Sequence, residues 1–276
     1  MQTEQKFGGT WTVKKLDAVE DYLSFYTTAL KKQGFRLCYI DAFSGSGNVT
    51  LKNGIITEGS AIRALKYPFD KYIFIEKDKD FYDALCLKIS ESYSNKTDKI
   101  SVIQGDCNEL LQNINSRQWF AERWRGVIFL DPYAMGLDWE SLEKISKTKA
   151  FDVWYLFPFS AVHRNLRKDG KIPHANVERL NNIFGTDSWK DEIYAESQQL
   201  TLFGDSEMEK IPDGLRQFIV KRLSETFPKV APNPAILRNS IGAPLFLLCF
   251  AVSNPYSGAQ TLALKAANHI LNHTED

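Results

Sequence analysis

The sequence lacks the features that mark a metalloprotein, a disulfide-bonded protein or a membrane protein. It contains four scattered cysteines with no Cys-x-x-Cys pair, only four histidines, and no apolar run long enough to cross a bilayer. It shows no apolar signal core, internal repeat or low-complexity tract. We therefore expect a cytoplasmic protein without a metal site, whose cysteines are reduced and mostly buried. These are Cys38, Cys86, Cys107 and Cys249.

An excess of either charge is also missing, since 34 Lys and Arg balance 34 Asp and Glu. The whole molecule is therefore not a polyanion binder, and any contact with nucleic acid must come from a local patch. With 276 residues, 43% of them hydrophobic and 25% charged, the chain is typical of a soluble globular protein with one sizeable core.

The most informative stretch joins a short apolar strand to a glycine turn. Residues 37–40 are predicted to form a buried strand, after which Asp41 precedes Gly45 and Gly47. Residues 48–50 follow as Asn-Val-Thr, without the Lys-Ser or Lys-Thr of a phosphate loop. An acidic residue at a strand end before Gly-x-Gly suits a ligand with a positively charged amine, for which S-adenosylmethionine is the candidate. The alternative is an ordinary tight turn.

Apolar strands and amphipathic helices then alternate, which predicts a doubly wound α/β sheet. The predicted strands are 37–40, 72–76, 100–103, 127–130 and 152–157. The predicted helices are 14–33, 60–65 with Ser60 as the N-cap, 78–93 and 140–147. Residues 48–58 are expected to form a polar loop.

The pattern becomes polar, helical and irregular from residue 160 to residue 234. We interpret 160–234 as an insertion or cap on the ligand edge, within one domain that spans 1–276. Later elements are predicted as helices 177–184, 215–227 and 259–271 and strands 236–239 and 245–252.

Four predicted strands are followed by an acidic residue. These residues are Asp41, Glu76, Asp106 and Asp131. The carboxyl ends of parallel strands share one edge of a sheet, so we expect the four carboxylates to line a single rim. One acid at a strand end is commonplace. Four in a row, the first with Gly-x-Gly and the last followed by Pro132 and Tyr133, indicate a ligand site.

The stretch 41–47 resembles the first motif, Asp-x-Phe-x-Gly-x-Gly, of class I S-adenosylmethionine-dependent methyltransferases that methylate amines. Asp131-Pro132-Tyr133 resembles their catalytic Asp-Pro-Pro-Tyr, shortened by one proline. More specifically, the chain up to Arg164 resembles the three-Cys-motif partner (TcmP) family of bacteria. The stretches that carry this resemblance are 39–45, 58–60, 74–76, 105–108 and 129–133.

The resemblance implies a Rossmann-like class I methyltransferase sheet, mostly parallel with an antiparallel C-terminal strand, and S-adenosylmethionine as the cofactor. The glycines would make room for its methionine part, and Asp41 would hold its amino group directly or through water. Glu76 would accept hydrogen bonds from both ribose hydroxyls, and Asp106 would face the adenine amine. The implied cofactor-binding residues are Asp41, Phe43, Gly45, Gly47, Glu76, Asp106 and Cys107.

The resemblance assigns catalysis to Asp131, Pro132 and Tyr133. An exocyclic amine is a poor nucleophile because its lone pair is delocalised into the ring. A carboxylate from Asp131 and the Pro132 carbonyl could accept its two N–H bonds and favour a pyramidal nitrogen. Tyr133 could stack on a flipped base. The alternative is that Asp-Pro simply starts a turn.

The most basic stretch of the chain is 163–174, which follows the fifth predicted strand and should therefore lie near the substrate mouth. It is either a phosphate-binding segment or a solvated loop. Its candidate nucleic-acid contacts are Arg164, Arg167, Lys168 and Lys171.

The leading hypothesis is a methyltransferase that acts on an amine, in particular an exocyclic amine of a nucleic-acid base. One alternative is a methyltransferase for a small molecule or a protein. Another is a non-catalytic S-adenosylmethionine-binding partner of a genomically neighbouring three-Cys-motif protein.

Overall fold

The computed structural model describes residues 5–6, 9–167, 170–200, 206–210 and 213–275. Among these residues the strands are β1 (Gln5–Lys6), β2 (Arg36–Asp41), β3 (Asn48–Thr50), β4 (Ile56–Glu58), β5 (Lys71–Glu76), β6 (Ile100–Gln104), β7 (Trp124–Leu130), β8 (Phe151–Phe157), β9 (Tyr194–Leu200), β10 (Ser206–Lys210), β11 (Lys229–Val230), β12 (Ala235–Arg238) and β13 (Pro244–Val252). The α-helices are α1 (Thr10–Leu30), α2 (Ser60–Ala64), α3 (Lys79–Ser92), α4 (Cys107–Gln112), α5 (Trp139–Lys147), α6 (Phe159–Asn165), α7 (His174–Phe184), α8 (Trp189–Ile193), α9 (Gly214–Thr226) and α10 (Ser257–Glu275).

The central sheet has the strand order β6-β5-β2-β7-β8-β13, and β11 and β12 both pair with the free side of β13. The first five strands are parallel, whereas β13 runs antiparallel to β8. When its eight strands are numbered in chain order, the sheet therefore reads 3-2-1-4-5-8, and strands 6 and 7 both lie beside strand 8. The predicted Rossmann-like α/β fold, mostly parallel with an antiparallel C-terminal strand, is confirmed. The chain reverses its direction of winding between β2 and β7, which makes this point the topological switch of the sheet.

Each face of the sheet carries its own hydrophobic cluster, because successive side chains of a strand point to opposite faces. On β2, Cys38 and Ile40 face one cluster, whereas Leu37 and Tyr39 face the other. Helices α1, α2, α3 and α10 contribute to the cluster on the Tyr39 side, and α4, α5, α7, α8 and α9 contribute to the opposite one.

Helix α1 buries a stripe of apolar side chains against the Tyr39 side of the sheet. Leu16, Val19 and Leu23 recur at helical spacing and are almost fully buried. The helix begins at Thr10 and ends at Leu30, so the predicted span of 14–33 is displaced toward the carboxyl terminus. No helix in the described ranges is both long and apolar enough to cross a membrane.

The structure corrects two local predictions near the glycine turn. Residues 48–58, expected to be a loop, contain the antiparallel hairpin of β3 and β4, to which β1 adds in parallel. The N-cap of α2 is Gly59 rather than Ser60, which is the first helical residue. The hydroxyl of Ser60 is engaged by the carboxylate of Asp41 instead.

Residues 160–234 hold α6 to α9, the antiparallel pair β9 and β10, and β11. The predicted helices 177–184 and 215–227 correspond to α7 and α9. Phe184 of α7 meets Phe218 of α9 edge-on, with 5.0 Å between ring centroids, and both belong to the cluster beneath α5. The assignment of 160–234 as an insertion or cap stays a prediction. Its helices α7, α8 and α9 contribute to the core.

Candidate functional site

The glycine turn after β2 adopts a backbone that requires glycine. Gly45 and Gly47 have φ angles of 62° and 83°, in the left-handed region. A Cβ atom on Gly47 would lie 3.0 Å from Leu85 Cδ1 and 3.1 Å from Ile62 Cγ1. The turn therefore packs directly against α2 and α3, and a side chain at Gly47 would push it outward into the rim.

The acidic residues that end or follow β2, β5 and β7 share one side of the sheet edge. Asp41 is in register with Phe74 on β5 and with Phe129 on β7. Glu76 lies two residues after Phe74, and Asp131 lies two residues after Phe129. Side chains two residues apart on a strand point to the same face of the sheet. The three carboxylates therefore rise toward the face that α1 and α2 cover.

The carboxylate of Asp41 is fully buried beneath the glycine turn. It accepts hydrogen bonds from the Phe43 backbone N–H at 3.3 Å and from the Tyr39 hydroxyl at 3.4 Å. Burial is the main cause that raises its pKa to about 7, and the nearby charge of Asp131 raises it further. Hydrogen bonds from Ser60 and Phe43 and the charge of Lys15 oppose the shift. The structure thus holds a carboxylate whose charge is only partly compensated.

Glu76 ties the end of β5 to the glycine turn. One of its oxygens accepts the Gly45 N–H at 2.7 Å, and the other accepts the Asp78 N–H at 2.8 Å. The Ser44 N–H reinforces this connection by donating to the Ile75 carbonyl at 3.0 Å. Each carboxylate oxygen retains further acceptor capacity. The glycine turn and the end of β5 therefore form one structural unit, although Gly45 and Glu76 are 31 positions apart.

Asp106 caps the amino terminus of α4 through the Asn108 N–H at 2.8 Å and pairs with the exposed Lys77 at 2.8 Å. Burial would raise the pKa of Asp106, but the hydrogen bonds from Lys77 and Asn108 outweigh it and lower that pKa. Cys107, the first residue of α4, is buried, and burial raises the pKa of its thiol to about 12. Cys107 can therefore pack against a ligand, but it is not a reactive thiolate.

The Asp131-Pro132-Tyr133 turn projects from β7 across the switch point. Asp131 is about a quarter exposed, Pro132 is buried, and the Tyr133 side chain is 78% exposed. Ala134 has a positive φ of 52°, and the Gly136 N–H closes the turn onto the Tyr133 carbonyl at 3.1 Å. The turn holds an aromatic ring at the surface beside the carboxylate.

Lys15 is a member of this site that was not predicted from the sequence. Its ammonium, on α1, forms an ion pair with Oδ2 of Asp131, and the lysine is only 7% exposed. The ring of Trp11 lies 5.2 Å from the same ammonium. The sequence did contain a signal for this residue, because Lys15 lies on the apolar stripe of α1, one turn before Val19. A cation on a buried stripe requires an anionic partner.

The basic stretch contacts this turn at Asn165. Asn165, in the last turn of α6, contacts the Met135 sulfur at 4.0 Å, so α6 ends against the Asp131 turn. Arg164, Arg167 and Lys171 are exposed, and the Arg167 carbonyl accepts a hydrogen bond from the Tyr194 hydroxyl at 2.7 Å. The fourth candidate, Lys168, lies outside the described residues.

The fold and the site together define a Rossmann-like α/β protein with a glycine turn and a rim of carboxylates at its switch point. No family model and no curated protein matches the chain. Several solved structures resemble it weakly in overall shape.

One is a protein of Legionella pneumophila str. Philadelphia 1, with a TM-score of 0.49 and 14% identity over 96% of this chain and 94% of that chain. A second is Trm1 from Pyrococcus horikoshii in complex with S-adenosyl-L-methionine, with a TM-score of 0.42 and 14% identity over 98% of this chain and 77% of that one. A third is the methyltransferase domain of the bacterial protein CtHen1-C, with a TM-score of 0.41 and 14% identity over 85% of this chain and 98% of that domain.

A Gly47→Ala substitution tests the packing of the glycine turn. We expect it to lower the free energy of unfolding by about 1–3 kcal/mol, because the methyl group meets Leu85 and Ile62 and the residue keeps a positive φ. Gly54→Ala is the matched control, since Gly54 has a φ of 80° but no atom within 4 Å of the point where its Cβ would lie. Urea unfolding measures both. Equal losses in the two variants would show that the backbone angle alone matters and that the turn is not tightly packed.

Proposed function

We propose that this protein is an S-adenosylmethionine-dependent methyltransferase that acts on an amine, specifically an exocyclic amine of a nucleic-acid base. The observation that carries this proposal is the convergence of Asp41, Glu76 and Asp131 on one rim, with the glycine turn bonded to Glu76. A cofactor that carries phosphate groups fits this rim poorly, because the three carboxylates would repel its negative charge.

The residues present fit S-adenosylmethionine in two respects. The free acceptor capacity of Glu76 suits a ribose diol, and the partly compensated charge of Asp41 suits a cationic ligand. Asp106 and Cys107 would border the adenine, and Phe43 and Gly45 the methionine part. When bound, the cofactor supplies a methyl group on a positively charged sulfur.

Asp131 is the residue proposed to act on the acceptor. Because Lys15 occupies Oδ2, the other oxygen of Asp131 stays available to accept an N–H bond from the acceptor amine. The Pro132 carbonyl would accept the second N–H bond and so favour a pyramidal nitrogen. Lys15 is a positioning residue in this proposal, because it acts by holding the orientation of Asp131.

A nucleic-acid acceptor is supported by what surrounds Asp131. The exposed ring of Tyr133 offers a stacking surface for a base that has left its helix. The exposed cations Arg164, Arg167 and Lys171 belong to the basic stretch whose Asn165 contacts the same turn, and they would suit phosphates on either side of that base.

A second candidate is a non-catalytic S-adenosylmethionine-binding partner protein. The ion pair between Lys15 and Asp131 favours this candidate. A protein that only binds the cofactor does not need the Asp131 carboxylate to contact an acceptor, so the carboxylate can stay paired. The two candidates share a cofactor and differ in methyl transfer.

The first test is transfer of a tritiated methyl group to total RNA and total DNA. We expect incorporation by the wild-type protein and a loss of about 100-fold or more in Asp131→Ala, because the acceptor amine loses its hydrogen-bond acceptor. Asp83→Ala, an exposed carboxylate on α3, is the control and should retain activity. Incorporation that is no higher in wild type than in Asp131→Ala would overturn the methyltransferase proposal. Cofactor binding without incorporation would then favour the second candidate.

Lys15 variants test the positioning role. We expect Lys15→Met to lower kcat about tenfold or more while the Kd for S-adenosylmethionine changes little, because Lys15 touches Asp131 rather than Glu76. Lys15→Arg keeps the charge and should recover part of kcat. Kinetics and calorimetry on the same preparations separate these effects. An increase in kcat for Lys15→Met would mean that the ion pair blocks Asp131 instead of orienting it.

The raised pKa of Asp41 predicts proton release on cofactor binding. In the free protein Asp41 is mostly protonated below pH 7, and a bound cation favours its ionised form. Affinity for S-adenosylmethionine should therefore fall as pH is lowered from 7, by up to about tenfold per pH unit. Calorimetry at pH 6 in buffers of different ionisation enthalpy measures the released proton. Asp41→Asn should abolish that release, and release that persists in this variant would contradict the assignment.

A further inference from the structure

A second concave surface lies at the opposite edge of the sheet from the carboxylate rim. It is an open cavity of about 640 Å³, bordered by the segment that leads into β7 and by the last turn of α5. The seven residues of β7 separate it from Asp131 by roughly 20 Å. We refer to it as the amino-edge cavity. Its charged lining residues are Arg117, Lys144, Lys147 and Lys149.

The amino-edge cavity has an unbalanced charge in a protein whose formal net charge is zero. Four of its lining residues are cationic and none is Asp or Glu. Arg117 pairs with Glu122 at 3.0 Å and Lys144 with Glu140 at 3.4 Å, both carboxylates standing outside the lining. Within the described ranges, Lys147 and Lys149 form no ion pair. At least two full positive charges therefore face the cavity without compensation.

The walls of the cavity are held in place by contacts that do not involve a ligand. The Arg117 guanidinium stacks on Trp119 and Trp124, 4.9 and 4.7 Å from their ring centroids. The Asn115 side chain donates to the Lys144 carbonyl at 2.8 Å and so ties the two walls together. The Arg117 guanidinium is therefore held in place before an anion binds, which limits the entropy lost at that side chain.

Lys149 adds an observation of a different kind. Its φ is 58°, at a position just after a helix end where glycine is the usual residue. The backbone there tolerates a strained lysine, whose side chain is exposed at the cavity. Lysines in the last turn of α5 also complement the helix dipole, which accounts for Lys144 and Lys147. The dipole does not account for Arg117, which lies on the other wall, or for Lys149, which lies beyond the helix.

We propose that the amino-edge cavity binds phosphate groups, carried either by a nucleic-acid strand or by a free oligophosphate. Arginine and lysine are the side chains that recognise phosphate, the former by paired N–H donors and the latter as a point charge. Gln112 and Gln118 line the same space and add neutral donors. The volume is within the range of small-ligand sites. This site is independent of the proposed methyl transfer.

The test is binding of two probes to the whole chain, without cofactor. One probe is a fluorescein-labelled oligothymidylate followed by anisotropy, and the other is sodium tripolyphosphate followed by calorimetry. Neither probe contains adenosine, so neither competes for the rim around Glu76. We expect binding of at least one probe, about tenfold weaker in Lys147→Gln/Lys149→Gln and weaker again at high salt.

The matched control is Lys52→Gln/Lys265→Gln, which removes the same charge from positions elsewhere on the molecule. Oligothymidylate binding that weakens in Lys147→Gln/Lys149→Gln, without tripolyphosphate binding, identifies a nucleic-acid strand as the source of the phosphates, and the same result for tripolyphosphate alone identifies a free oligophosphate. Binding that Lys147→Gln/Lys149→Gln leaves unchanged belongs to another surface, such as the basic stretch, and would overturn the proposal. Equal weakening in both double variants, or no binding of either probe at millimolar protein, would overturn the proposal. These outcomes do not depend on whether the protein transfers methyl groups.

Discussion

The site depends on how the structure tolerates three carboxylates at one sheet edge. Asp41 is held beneath the glycine turn by backbone and hydroxyl donors, and its pKa of about 7 reflects the free energy required to ionise it there. Asp131 is compensated by Lys15, and Glu76 by the N–H groups of Gly45 and Asp78. Each compensation also fixes a piece of backbone or a helix. The same contacts that make the charges tolerable therefore shape the rim.

Although the formal net charge is zero, acidic and basic residues lie at opposite ends of the strands. Carboxylates gather where β2, β5 and β7 end, whereas Arg117 and three lysines gather where β7 and β8 begin. Parallel strands make this division possible, because residues at equivalent ends of the strands meet at one edge. The rim suits a cationic cofactor and the opposite edge suits phosphate. Two ligands of opposite charge can thus be bound without competing for the same surface.

Local patterns were sufficient for seven of the eight strands of the central sheet and for most helices. The apolar run ending in Asp41 and the one ending in Glu76 each predict a buried strand and its terminal acid. Local patterns fail where a residue distant in sequence forms a hydrogen bond with the side chain in question. Ser60 has the composition of an N-cap, but the buried carboxylate of Asp41 engages its hydroxyl, and Gly59 takes the cap. Residues 48–58 look polar but form the hairpin of β3 and β4, to which the distant strand β1 adds in parallel.

The sequence by itself determined the alternation of strands and helices, the glycine turn and the acids that end the strands, because all of these depend on local periodicity and backbone freedom. Only the tertiary structure decided that Lys15 meets Asp131, 116 positions away, and that Arg117 and Lys149 share a cavity. These pairings depend on where helices settle against the sheet. Such placement follows from packing and desolvation summed over the whole molecule, which no short stretch of sequence contains.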